Sequence, residues 1–128
     1  MDITPLIDKN SNVIYSYGDN QFNISGTIYE YNVVVFPQKV IPWNIKSFES
    51  FSINDILPLH SELNEIDILI IGCGFSHKTI PLSLKYDIKN LKNNSPLNIE
   101  VMQTAAACRT YNVLLLEGRR IGAALIQV

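Results

Sequence analysis

The chain has 128 residues, of which 47% are hydrophobic and 17% charged, and its net charge is −2. That is the length of one domain with ample apolar material for a core, which excludes a disordered chain. The slight negative charge excludes bulk attraction to phosphate backbones, so nucleic acid is not an expected partner.

The start, Met1-Asp2-Ile3-Thr4-Pro5, lacks a basic region followed by an apolar stretch, so no signal peptide is expected. Residues 1–20 are polar and turn-rich and read as an N-terminal arm with one short strand at 13–17. Residues 21–128 read as a single α/β domain. Residues 22–25 alternate apolar and polar, as a half-buried strand does, and residues 26–27 interrupt the pattern. Residues 31–36 are β-branched and aromatic, and Pro37 ends them. These two runs are expected to form a hairpin, followed by a loop over 40–43 with Trp43 as a core plug.

Ser52 is a candidate cap for a helix over 53–63, which Pro58 would kink or delay. Residues 66–71 are nearly continuous apolar sequence and read as a central strand covered on both faces, with Gly72-Cys73-Gly74 turning the chain at its carboxyl end. Asp67 is expected at the end or edge of that strand. Pro81 opens a second helix through about residue 91, stopped by Asn93-Asn94-Ser95. A short strand at 99–102 leads to Thr104 as cap, a helix over 105–116, Gly118 as stop and a final strand over 121–128. The predicted fold is α/β: a mixed five-stranded sheet with a β-hairpin start and three helices packed on it.

Few residues point to chemistry. Cys73 and Cys108 have no metal-ligand spacing and no disulfide-rich pattern, so reduced thiols in a cytoplasmic, bacterial-type protein are expected. No apolar run approaches the roughly 18 residues of a membrane span. Cys73-Gly74-Phe75-Ser76 spells a monothiol glutaredoxin motif, but Thr79-Ile80-Pro81 follows too closely to form that fold's opposing wall, so a strand-exit turn is the better reading. The Gly72-x-Gly74 pair lacks phosphate-loop spacing. His60 and His77 have no partnered ligand or nucleophile pattern, so no metal or cofactor is predicted.

The helix over 104–117 carries the most unusual residues. Thr110 and Asn112 have low helix propensity and are expected to make side-chain hydrogen bonds. Helical spacing puts Ala105, Cys108, Tyr111 and Leu115 on one stripe and Ala106, Arg109, Val113 and Leu116 on the next. Arg109 then falls near the boundary of the buried face, with Glu117, Glu100 or backbone carbonyls as partners. Two readings stay open: a polar clasp joining helix to sheet, and a surface patch contacting a partner or ligand.

Met102-x-Thr104, Ala107-x-Arg109-Thr110-Tyr111-Asn112-x-Leu114 and Glu117-x-Arg119, with Trp43, Gly72, Gly74 and Ala123-Ala124-Leu125-Ile126, resemble the family of mitochondrial respiratory complex I (NADH:ubiquinone oxidoreductase) assembly factor 3 and its bacterial and archaeal relatives. The resemblance covers residues 22–128. It implies the mixed five-stranded fold and a protein-binding accessory role without an accepted catalytic residue. The candidate patch is Gly72, Cys73, Gly74, Thr104, Arg109, Thr110, Tyr111, Asn112, Glu117 and Arg119.

Two functions follow. The first is a non-enzymatic accessory or assembly factor acting through protein contacts, with respiratory complex subunits as candidate partners. The second is an enzyme or small-ligand binder with a site near residues 72–76 and Thr104, in a pocket lined by Cys73, Arg109 or Tyr111. The terminal strand and the arm are also candidates for adding to a second copy's sheet edge, giving a homo-oligomer.

Overall fold

The computed structural model describes residues 10–93 and 95–128. The reading of Met1 through Pro5, the first nine residues of the arm and Asn94 of the expected helix stop lie outside the described residues.

Ile14–Gly18 (β1), Gln21–Ile24 (β2) and Thr27–Tyr29 (β3) form a small antiparallel sheet in that order. Two residues make each turn: Asp19 and Asn20 have φ of 54° and 60°, Ser25 and Gly26 of 50° and 97°. Positive φ at both central positions gives the turn whose twist matches the flanking strands. Of residues 26–27, expected to interrupt the strand over 22–25, Gly26 lies in the turn that ends β2 and Thr27 begins β3.

Val33–Phe36 (β4), Lys39–Pro42 (β5), Ile68–Gly72 (β6), Asn98–Met102 (β7) and Ile121–Leu125 (β8) form the main sheet, in the order β5-β4-β8-β6-β7. β4 is antiparallel to β5 and β8, and β6 is parallel to β7 and β8. This is the mixed five-stranded sheet predicted, and the β4–β5 hairpin opens it. The hairpin expected between residues 22–25 and 31–36 does not form. β2 is already paired on both sides by β1 and β3, and β4, buried at all four positions, pairs within the other sheet. Residues 40–43, expected as a loop, lie mostly in β5, an edge strand where a proline without an N–H is tolerated.

Three 3-10 turns, Phe48–Ser50, Ile53–Asp55 and Leu57–Leu59, precede the single-turn helix His60–Leu63 (α1). The continuous helix expected over 53–63 is therefore broken. Ser52 does cap: its hydroxyl accepts from Asn54 N at 3.3 Å, and Asp55 Oδ2 accepts from Ser52 N at 2.9 Å. Pro58 lacks the N–H that a continuing α-helix requires, and the segment closes i→i+3 turns instead. Leu82–Lys89 (α2) starts after Pro81, which caps rather than occupies the first turn. Thr104–Leu116 (α3) ends as Gly118 predicts: Gly118, at φ 75°, donates to Leu115 O at 2.9 Å and Arg119 N donates to Leu114 O at 3.0 Å.

β6 shows why the main sheet is buried on both faces. Leu69 and Ile71 pack with Trp43, Leu63, Ile88 and Leu97 on the face covered by α2 and the 3-10 turns. Ile68 and Ile70 pack with Phe22, Ala107, Tyr111 and Ala123 on the face covered by α3 and the small sheet. Each of these four aliphatic residues contributes roughly 1.5–3 kcal/mol on burial. Trp43 is the expected plug, its indole N–H donating to Asp55 O at 3.0 Å. Asp67 stands just before β6 and pairs with Lys92 at 2.8 Å. The terminal strand offers no free edge, because β4 and β6 flank β8. In the main sheet the open edges belong to β5 and β7.

Candidate functional site

β6 ends where three segments converge. A Cβ on Gly72 would lie 3.0 Å from Thr104 Cα and 3.0 Å from Leu125 Cδ2, so a side chain here would press on α3 and β8 where they close on β6. Thr104 fills the gap beside it. Its hydroxyl accepts from Gly74 N at 2.9 Å and donates to Ile126 O at 2.8 Å, while Thr104 N donates to Gly74 O at 3.0 Å. Thr104 is fully buried and is the first residue of α3; the cap position belongs to Gln103 and makes no side-chain bond. The expected cap is thus a three-way clasp between β6, α3 and the chain after β8. A position on the buried face turns its hydroxyl inward, away from the free N–H groups of the first turn.

Cys73 lies below this surface. It is buried on the α2 face, and its thiol donates to Ser76 O at 3.3 Å. It leaves β6 in an extended turn, and the next helix begins only at Leu82. The strand-exit reading of residues 72–76 agrees with that placement. Tyr111 belongs to the core on the opposite face. The pocket expected to be lined by Cys73, Arg109 or Tyr111 does not bring these residues together, because the sheet separates the thiol from α3.

On α3 the buried stripe is Thr104, Ala107, Cys108, Tyr111 and Leu115. Ala107 replaces Ala105 relative to the expected stripe, a rotation of the helix that puts two small side chains against the sheet. Burial pushes the Cys108 thiol up to about 12, against a smaller lowering by the Arg109 guanidinium and a backbone hydrogen bond. Burial also raises the Tyr111 phenol above its ordinary value.

Arg109, Tyr111 and Asn112 of α3 all reach the N-terminal segment around β1. Tyr111 Oη donates to Asn12 O at 2.8 Å. Asn112 pairs with the Ile14 backbone twice, its Oδ1 accepting at 3.0 Å and its Nδ2 donating at 2.8 Å. Arg109 donates to the Tyr17 phenol oxygen at 2.8 Å, not to Glu117, Glu100 or a carbonyl. Arg109 is exposed, so it can take a phenol in place of the counter-ion that a buried guanidinium needs. Thr110 Oγ1 contacts Met102 Sδ at 3.5 Å. The clasp therefore exists, but it joins α3 to the small sheet. Glu117 and Arg119 are exposed beyond the helix end and take no part in it.

Two surfaces flank the clasp. A cleft of about 460 Å³ lies beyond the carboxyl ends of the parallel strands, lined by Tyr17, Asp19, Gly74, Phe75, Gln103 and Val128. Open α/β sheets commonly bind ligands at such a crevice. Phe75 is 81% exposed on its rim. Along α3, Arg109, Val113 and Leu116 form an outward stripe at helical spacing, with Val113 54% and Leu116 62% exposed. Sequence reasoning placed the members of this stripe together and put Phe75 inside the segment 72–76 without singling it out, but missed Tyr17. Phe75 had a signal, a large aromatic in a glycine turn; Tyr17 looked like ordinary turn sequence. His60 and His77 are exposed, and among the described residues no three His, Cys, Asp or Glu side chains are grouped to hold a metal ion. Among the described residues no helix is long and apolar enough to cross a membrane.

Residues 14–126 match the family described as protein of unknown function (DUF498/DUF598). An uncharacterised protein of Rhodobacter capsulatus is 32% identical over 88% of this chain and 82% of its own length. NADH dehydrogenase (ubiquinone) 1 alpha subcomplex assembly factor 3 of Drosophila melanogaster is 38% identical over 73% of this chain, which spans only 47% of that protein. A solved structure described as an outer membrane protein from Bartonella henselae superposes with a TM-score of 0.80 at 25% identity, covering 93% of this chain and 97% of that one. The chain belongs to the DUF498/DUF598 family.

Proposed function

We propose that this protein is a non-enzymatic accessory factor that acts through protein contacts in the biogenesis of respiratory complex I, in the cytoplasm. The observation that carries the proposal is the outward stripe of α3. Val113 and Leu116 expose apolar side chains beside Arg109, on a helix fixed by the Thr104 and Asn112 clasps. Arginine is enriched at protein-binding surfaces, and exposed apolar side chains beside it add area that a partner can bury. Relatives named as complex I assembly factors supply the class of partner, a complex I subunit or an assembly intermediate.

Deletion of the gene in a cell that makes complex I, followed by native gel analysis, tests the proposal. The expected result is less assembled complex, restored by the wild-type chain but not by a folded Val113→Glu variant. Unchanged complex I in the deletion strain would overturn it.

A second reading, a small-ligand site near residues 72–76 and Thr104, draws support from the cleft beside Gly74 and Phe75. It predicts that a ligand found by screening shifts the Gly74, Phe75 and Gln103 backbone resonances. Shifts confined to other surfaces would exclude it.

A further inference from the structure

At the opposite end of the main sheet from the clasp, a cavity of about 510 Å³ opens between the β4–β5 turn, α1 and the segment entering β8. Its volume lies within the roughly 300–1,000 Å³ of small-molecule sites. The floor is apolar and part of the core: Phe36, Ile66 and Ile121 are all buried. Gly122 fixes the shape of that floor. A Cβ there would lie 2.7 Å from Phe36 Cε1, so the ring rests directly over the glycine.

The charged rim is unevenly satisfied. Lys39 and Glu62 pair across it at 3.3 Å. Arg120 is held by backbone, its Nε donating to Glu65 O at 2.9 Å and its Nη2 to Asn64 O at 3.2 Å. Arg119 is exposed and makes no side-chain hydrogen bond or ion pair among the described residues. The helix stop at Gly118 delivers both arginines to this rim, where Lys39, Arg119 and Arg120 face Glu62 and Glu65; Asp67, paired with Lys92, also attracts both arginines from beside it, so four cationic side chains meet three carboxylates. The local balance is positive in a chain whose net charge is −2.

The geometry points to a binding site for a small amphiphilic carboxylate, with its apolar body on Phe36, Ile66 and Ile121 and its carboxylate on Arg119. A guanidinium offers a planar pair of donors that matches a carboxylate. Glu65 on the same wall disfavours a second negative charge, which selects a monoanion over a dianion.

The test is a titration of the isotopically labelled protein with octanoate, with acetate and octylammonium as controls, read by backbone resonances. Octanoate is expected to shift Gln38, Ile66, Arg119 and Ile121 saturably, and acetate to leave them unmoved. Octylammonium should bind about tenfold more weakly, and Arg119→Gln should weaken octanoate by about tenfold, the scale of one charge-assisted bond. The thermal midpoint of Arg119→Gln should stay unchanged. Ser61→Trp, an exposed rim position, should block the cavity while the circular dichroism spectrum is retained. Octanoate shifts confined to the exposed apolar residues Phe75, Leu82 and Val113, equal binding of octylammonium, or undiminished binding to Arg119→Gln would each overturn the assignment.

Discussion

The guanidinium of Arg109 donates a 2.8 Å hydrogen bond to the phenol oxygen of Tyr17, across a sequence separation of 92 residues. This contact joins α3 to the N-terminal hairpin on the exposed side, while Tyr111 and Asn112 join them on the buried side. The hairpin thereby becomes a buttress for the helix whose outer stripe is proposed to meet a partner.

Asn112 carries the strongest part of that buttress. Asn112→Ala removes both bonds to the Ile14 backbone and leaves a partly buried N–H and C=O without their partners, at a cost of about 1–3 kcal/mol. Urea unfolding should show that loss, and the Ile14 amide should exchange faster. Arg109→Ala, by contrast, removes an exposed bond whose partners return to water, and should cost less than Asn112→Ala. An equal loss in both variants would contradict this ranking.

Thr104 should tolerate serine and reject valine. Thr104→Ser keeps the hydroxyl that links Gly74 N to Ile126 O. Thr104→Val keeps the shape but leaves the buried Gly74 N–H and the half-buried Ile126 C=O without this partner, for a loss of roughly 1–3 kcal/mol. Thermal unfolding separates the two; similar midpoints would show that the clasp contributes little.

Gly72→Ala should destabilise by about 1–3 kcal/mol, the typical cost of overpacking. The new methyl would press on the Thr104 backbone and on Leu125, and backbone yields less readily than a flexible side-chain end. A variant as stable as wild type would mean that the approach of α3 to β6 relaxes freely.

Alkaline pH should weaken the fold through α3. Burial raises the pKa of both Cys108 and Tyr111, so each prefers its neutral, protonated form in the folded chain. The stability the thiol contributes is complete below its ordinary value of 9.0 and is lost as pH rises through its folded value of about 12; the loss from the phenol begins only above its ordinary value of 10.0. Unfolding free energy should therefore fall above about pH 9, and less steeply in Cys108→Ala, which removes one of the two groups. A slope unchanged by the substitution would rule out this role for the thiol. In the native state at neutral pH, Cys108 should react slowly with thiol reagents.

The sequence made some elements legible and hid others for physical reasons. β6 and α3 were readable because each carries a sustained pattern: an unbroken apolar run for a strand covered on both faces, and small and apolar residues at helical spacing. β3 and β5 are only three and four residues long, and β5 ends on Pro42, so neither had a period to detect. Ser52 announced a helix start correctly, but Pro58 left only short turns behind it. Thr104 looked like a cap because threonine favours that position; its partners, Gly74 and Ile126, become neighbours only in the folded sheet. The Arg109 partner was hidden for the same reason. A phenol 92 positions away leaves no local trace, whereas Glu117 and Glu100 stood close enough in sequence to suggest themselves.

The central claim is that the outer stripe of α3 meets a complex I subunit or assembly intermediate. A photo-crosslinking amino acid at position 113, with a second variant carrying it at exposed position 31 as control, tests this in cells that make complex I. The account predicts a discrete adduct from position 113 that contains a complex I subunit or assembly intermediate, absent from position 31 and abolished by Leu116→Glu. No adduct from position 113, or the same adducts from both positions, would contradict it.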